Sequence, residues 1–151
     1  MRTNQIDPNH DRLVFVGRHG WATDDLVREI ETNPLTRETI VILHHASEAL
    51  LALLYRSCAF VVFPSLYEGL GLPLAEALGY GKLCVSSNAA ALAEIGGDLV
   101  MRIDSKDTLG WSNTIGRLLS SPAELAASET EIQKSYHPMT WDDSAKLFSV
   151  Q

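Results

Sequence analysis

The stretch FPSLYEGLGLPLAEAL, residues 63–78, decides the fold. The apolar run 59–63, which leads into it, predicts a buried strand that ends at Pro64. A loop punctuated by glycines follows, and Pro73 stands where the first residue of a helix is expected. A buried strand that passes through a short loop into a helix is typical of an α/β fold.

The same junction predicts a ligand site. The amino end of a helix presents N–H groups and a positive dipole end, and both favour an anion such as phosphate. Glu68 and Glu76 bracket the loop. Carboxylates would repel phosphate, so we expect both to accept hydrogen bonds from hydroxyl groups on either side of it. A ligand with hydroxyl groups on both sides of a phosphate bridge is a nucleotide sugar.

The spacing of the two glutamates alone is equally compatible with a pair of ordinary solvent-exposed side chains. Gly69 and Gly71 favour a ligand site, because glycines at a strand-to-helix junction allow close approach to the backbone. For Glu76 there is a structural alternative, in which it only stabilises the first turn of a helix. This alternative does not apply to Glu68.

On both sides of this stretch, strands and helices alternate. Short apolar strands are predicted at residues 13–16, 39–43, 59–63, 83–86 and 99–103. The second of these is apolar throughout, so we expect it to be covered on both faces. Helices are predicted from Thr23, from a cap at Ser47 and from Pro73, then after Asp104 and Ser105 as far as about Ser120, at 122–136 and from Thr140. This pattern predicts a parallel sheet covered by helices on both faces, with ligands at the carboxyl ends of the strands.

Composition restricts the class of protein. The 151 residues fit one domain, with a tail at 1–12, a sheet core at 13–104 and carboxy-terminal helices at 105–151. A net charge of -7 argues against a nucleic-acid partner. Cys58 and Cys84 are predicted to be buried, reduced thiols. Without a signal-peptide pattern or an apolar run of membrane-spanning length, we expect a cytoplasmic location.

Residues 63–78 resemble the signature of the family 4 (group 1) glycosyltransferases, in which a glutamate, seven residues and a second glutamate lie within Pro-Ser-x-x-Glu-Gly-Phe-Gly-Leu-Pro. The likeness continues in residues 14–21, 50–58, 87–97 and 141–143, and the first of these segments is similar to bacterial mannosyltransferases. The resemblance implies the Rossmann-like, carboxy-terminal half of the two-domain GT-B fold.

The resemblance also implies roles for individual residues. Glu68 matches the glutamate that faces the donor sugar, and we assign it as the catalytic residue. Glu76 matches the glutamate that binds the ribose hydroxyls. The other substrate-binding candidates are the loop residues Ser65, Gly69, Leu70, Gly71 and Leu72, together with His45 for the pocket of the nucleotide base. A surface position is the alternative for His45. Such enzymes retain anomeric configuration, and we expect neither a cofactor nor a metal.

Two substitutions depart mildly from the family pattern, Leu70 in place of Phe and Leu83 in place of Pro. A larger departure is that residues 1–12 do not resemble the first strand of the domain or its basic loop. In the sheet order 3-2-1-4-5-6 that strand is central. The acceptor-binding half is not recognisable either, so we interpret the sequence as an incomplete donor domain that needs an amino-terminal half in cis or in trans.

The function that the resemblance implies is transfer of a sugar from a GDP- or UDP-linked donor to a polysaccharide or lipid-linked acceptor. Only the full enzyme would associate peripherally with a membrane, and this chain alone would be inactive. One alternative is a non-catalytic nucleotide-sugar-binding module or subunit that requires a separate amino-terminal half. Another is a different phosphosugar enzyme of the same architecture, an epimerase or a phosphorylase.

Overall fold

The computed structural model describes residues 11–18, 20, 23–69, 71–88, 92 and 95–138. The predicted tail up to residue 10 and the predicted helix from Thr140 lie outside them. Along the described part, the elements are β1 (Leu13–Val16), α1 (Asp24–Thr32), β2 (Ile40–Leu43), α2 (Glu48–Ser57), β3 (Val61–Phe63), α3 (Leu72–Gly79), β4 (Cys84–Ser87), a 3₁₀ turn (Gly97–Leu99), β5 (Val100–Ile103), α4 (Thr108–Leu119) and α5 (Pro122–Ser135).

Every strand pair in the described residues is parallel, which confirms the predicted α/β class. β1 pairs with β2, whereas β3, β4 and β5 form a second sheet in that order. The absence of a first, central strand from a single Rossmann-like sheet stays a prediction.

The chain divides into two compact units, Met1–Leu54 and Tyr55–Gln151. The first unit holds β1, α1, β2 and most of α2, and the second holds β3 and everything after it. Whether all strand ends line one edge, as a single domain at 13–104 would require, stays a prediction.

In the first unit, the expectation that the second strand is covered on both faces is wrong. Val41 of β2 is 40% exposed, so one face of this strand is left partly open. The helix starts are as predicted. α1 begins with Asp24 in its first turn, and the Ser47 Oγ accepts a hydrogen bond from the Leu50 N–H at 3.2 Å.

In the second unit, the core lies around β4, the central strand of its sheet. All four of its side chains are buried, and α3 covers them with Leu74, Ala77 and Leu78, which are buried too. Leu118 of α4 and Ile132 of α5 complete this core. The core is therefore built on α3 and β4, the two elements that follow the loop of residues 64–71.

α4 starts slightly later than the predicted position directly after Ser105. The Asp104 carboxylate accepts a hydrogen bond from the Lys106 N–H at 2.8 Å and forms a turn. The Asp107 carboxylate then caps the helix by accepting the Gly110 N–H at 2.8 Å, so α4 begins at Thr108. Trp111 is buried, and its indole N–H donates to the Asp104 carbonyl at 3.0 Å.

Among these described residues, no helix has both the length and the apolar character that crossing a membrane requires. Both cysteines are free thiols. Cys84 is buried in β4, whereas Cys58, just after α2, is only partly buried. Burial raises the pKa of both thiols, for Cys84 to about 12, and the nearby Lys82 ammonium opposes this shift at Cys58.

Iodoacetamide at pH 8 is expected to alkylate Cys58 at least about tenfold faster than Cys84, because only the thiolate reacts and the Cys84 sulfur is also shielded from solvent. Mass spectrometry of the two peptides over time measures the two rates. In urea, where the environments are lost, the rates should become similar. Equal rates in the folded chain would contradict the burial difference.

Candidate functional site

The loop between β3 and α3 leads directly into a helix that has no side-chain cap. α3 begins at Leu72, one residue before the predicted Pro73, and the residue before it is Gly71, with φ 65°. Gly71 offers no side chain as a cap, Pro73 has no N–H group, and the N–H groups of Leu74 and Ala75 donate to the Gly71 carbonyl. In the first turn, the Leu72 N–H is therefore the donor that remains for another acceptor. The positive end of α3 is therefore open to a ligand that accepts hydrogen bonds.

The two loop glycines have different surroundings. A Cβ at Gly71 would lie 2.4 Å from the Leu92 Cδ2 and 3.1 Å from the Ile95 Cδ1, whereas a Cβ at Gly69 would meet nothing within 4 Å. Gly71 is thus needed for both its left-handed conformation and its close packing. Gly69 leaves space beside the backbone, as a loop that admits a ligand requires.

Glu68 is held by the loop in which it lies. Its Oε2 accepts a hydrogen bond from the Ser65 hydroxyl at 3.1 Å, and the Ser65 carbonyl accepts one from the Ser87 hydroxyl. Ser87 is buried at the carboxyl end of β4. Ser65, predicted to bind substrate, therefore uses its hydroxyl to orient Glu68 in this structure.

Glu76 is exposed in the middle of α3, but its carboxylate has a buried partner. The Tyr55 hydroxyl of α2 donates to the Glu76 Oε2 at 3.0 Å and lies 3.4 Å from the Pro73 carbonyl oxygen. Burial, followed by the hydrogen bond to Glu76, raises the pKa of Tyr55 well above its usual value. The phenol therefore stays protonated and acts as a neutral donor at physiological pH.

Tyr55 itself is fixed by aromatic packing. Its ring stacks on the ring of Tyr80, which follows α3, with centroids 5.2 Å apart and an interplanar angle of 18°. The guanidinium of Arg56 lies 5.6 Å from the Tyr80 ring centroid and makes a cation–π contact with this ring.

Sequence reasoning missed Tyr55 and Ser87. A tyrosine in an apolar helix does signal that its hydroxyl needs a partner once buried. The sequence does not indicate which partner, because Tyr55 and Glu76 are 21 positions apart.

The remaining candidates stand as follows. His45 is exposed in the first unit, two residues after β2, and its role in a base pocket stays a prediction. Leu72 starts α3, so its amide is one of the helix-end N–H groups. Leu70 lies outside the described residues. Within the described ranges, no three His, Cys, Asp or Glu side chains are grouped so that they could hold a metal ion.

The fold is Rossmann-like α/β, and the site combines a helix end that lacks a side-chain cap with two glutamates that accept hydrogen bonds. The family model described as "Glycosyl transferases group 1" matches residues 2–121. The chain therefore belongs to this family of glycosyltransferases, as the motif at residues 63–78 indicates.

Two curated relatives are mannosyltransferases. The chain is 38% identical over 96 residues to the O-antigen chain mannosyltransferase B of Escherichia coli, a match that covers 63% of this chain and 25% of that protein. It is 37% identical over 112 residues to the MMP alpha-(1->4)-mannosyltransferase of Mycolicibacterium hassiacum, covering 66% and 27%. The chain thus spans about a quarter of the length of these relatives.

Comparison with solved structures confirms the fold. The crystal structure of TarM superposes with a TM-score of 0.69 at 15% sequence identity, over 91% of this chain and 28% of that one. The α/β architecture with parallel strands is therefore that of a GT-B glycosyltransferase.

Proposed function

We propose that this chain is the donor-binding domain of a retaining glycosyltransferase. The donor is a GDP- or UDP-linked sugar, and GDP-mannose is favoured by the two mannosyltransferase relatives. The observation that carries the proposal is the uncapped amino end of α3 at Gly71. Glu68 precedes it and Glu76 follows it, and each carboxylate accepts a hydrogen bond from a hydroxyl group of the chain.

The diphosphate would bind at the amino end of α3, where the N–H groups and the helix dipole favour negative charge. This arrangement also favours catalysis, because the nucleoside diphosphate gains negative charge as it leaves the sugar. The loop backbone at Gly69, Leu70 and Gly71 would approach the sugar and the phosphates closely. No metal and no cofactor enters this proposal.

The two glutamates would act on opposite parts of the donor. Glu76 would accept hydrogen bonds from the ribose hydroxyls, and Glu68 would face the sugar, where a carboxylate stabilises positive charge that develops at the anomeric carbon. The Ser65 hydroxyl orients the Glu68 carboxylate for this role, and the bond from Ser87 fixes the Ser65 backbone. Such prior positioning lowers the cost of ordering these groups when the donor binds.

The acceptor is proposed to be a polysaccharide or a lipid-linked sugar at the cytoplasmic face of a membrane. The curated relatives are about four times as long as the matched region, so we place the acceptor site in a further domain, joined in cis or supplied in trans. This chain alone would bind the donor and transfer nothing.

Titration calorimetry of the 151-residue chain with GDP, UDP, GDP-mannose and UDP-glucose tests the proposal. We expect at least one nucleotide to bind, and Glu76→Ala to weaken it about tenfold, because the carboxylate accepts ribose hydroxyls. Glu131→Ala, which removes an exposed glutamate of α5, is the matched control and should bind like the wild type. A wild-type chain that binds none of the four ligands would overturn the proposal.

Glu68→Ala separates the sugar contact from the nucleotide contact in the same titrations. If Glu68 faces the sugar, this variant binds the nucleoside diphosphate normally and loses affinity only for the nucleotide sugar. Loss of affinity for both ligands to the same extent would contradict the assignment of Glu68 to the sugar side.

A further inference from the structure

We propose that Tyr55 is a positioning residue, whose hydroxyl group holds the Glu76 carboxylate in the orientation in which it accepts hydrogen bonds from the ribose. This inference rests on the proposed function, since it assigns a role in nucleotide binding to a residue that does not itself touch the ligand. Tyr55 would then do more than pack α2, because its buried hydroxyl group would affect the affinity for the nucleotide.

The geometry of the hydrogen bond between Tyr55 and Glu76 supports this role. A phenol has one proton to donate, and the 3.0 Å separation from the Glu76 Oε2 is shorter than the 3.4 Å separation from the Pro73 carbonyl. A hydrogen bond to a charged acceptor is also the stronger of the two. The carboxylate is therefore the main partner, and the carbonyl keeps the hydroxyl directed along α3.

The surroundings of the two side chains also differ, because Tyr55 is buried and Glu76 is exposed. Tyr55 is 8% exposed, and its ring stacks on Tyr80. Pro73, Glu76 and Tyr80 occupy positions i, i+3 and i+7 of the α3 region, so one side of this helix receives both the hydroxyl and the ring. The phenol therefore has a fixed place relative to α3.

The entropy of the Glu76 side chain also favours this role for Tyr55. An exposed glutamate samples several rotamers, and a ligand that binds it must order them at a cost in entropy. A carboxylate has about four acceptor positions, so the bond from Tyr55 leaves others for the ribose. Because Tyr55 fixes the carboxylate before the nucleotide arrives, part of this ordering cost is already met in the free protein.

Tyr55→Phe tests the inference, because it removes only the hydroxyl and keeps the stacked ring. We expect the affinity for the nucleotide that binds, GDP or UDP, to fall about threefold to tenfold. For the 2′,3′-dideoxy form of the same nucleotide, which has no ribose hydroxyls, the affinity should be unchanged. Tyr80→Phe removes the corresponding oxygen from the neighbouring ring and should bind like the wild type.

A double-mutant cycle completes the test. With Glu76→Ala in place, adding Tyr55→Phe should cause no further loss, because the group that Tyr55 positions is gone. Two results overturn the inference and leave the proposed function intact: unchanged affinity in Tyr55→Phe, or an equal loss for the normal and the dideoxy nucleotide. A wild-type chain that binds no nucleotide overturns the proposed function itself, and the inference with it.

Discussion

Leu118→Ala is expected to lower the free energy of unfolding of the second unit by about 3 kcal/mol. Leu118, in the last turn of α4, is 0% exposed and lies in the core that surrounds β4. Truncation removes apolar surface that folding buries and also leaves a cavity, which a tightly packed interior closes only in part. Urea unfolding, followed by hydrogen exchange of the β4 amides, reports this unit by itself.

Leu109→Ala provides a matched control on the same helix. Leu109 is 70% exposed, so the same chemical change should alter the free energy of unfolding by less than about 0.5 kcal/mol. Leu118→Val removes less volume, and an intermediate loss is expected if Leu118→Ala proves too unstable to measure. Equal effects at positions 118 and 109 would mean that α4 does not pack as described.

Gly71→Ala is expected to lower the free energy of unfolding by about 2–5 kcal/mol. The left-handed conformation at φ 65° costs a residue with a Cβ about 1–2 kcal/mol. The new methyl group would also lie 2.4 Å from the Leu92 Cδ2. Because Leu92 is fully buried, it cannot simply move into solvent, and overpacking of this kind adds about 1–3 kcal/mol.

Gly69→Ala is the control for this prediction, because no left-handed conformation and no close atom is found at this position. Its free energy of unfolding should stay within about 0.5 kcal/mol of the wild type. Urea unfolding of both variants gives the comparison. A Gly71→Ala variant as stable as Gly69→Ala would show that the loop does not adopt the described conformation.

The elements of the fold were predictable because each depends on local pattern. Short apolar runs indicated the five described strands, and Pro122 marked the start of α5. The boundaries were less predictable, since strands extend only as far as their partners allow. β3 begins at Val61 and not at Ala59, because pairing with β4 starts at Val61 opposite Cys84.

The sequence indicated which residues form the candidate site, but it did not indicate the hydrogen bonds that they make with each other and with Tyr55 and Ser87. The glutamates and glycines of the loop are adjacent in sequence, so their spacing and chemistry could be interpreted directly. The coverage of β2 was predicted wrongly from its apolar composition, because the exposure of a strand's side chains depends on which elements pack against its faces. Hydrogen bonds between segments that are distant in sequence also depend on tertiary packing, so local sequence patterns do not predict them.

The sequence by itself determined the parallel α/β class, the strand-to-helix junction at residues 63–78 and the presence of two carboxylates around the amino end of a helix. Only the tertiary structure decided that Tyr55 donates to Glu76 and that Ser87 anchors the loop that holds Glu68. The physical reason is that local patterns specify backbone conformation and polarity. The partner of a buried hydroxyl group, in contrast, depends on how α2, α3 and β4 pack together.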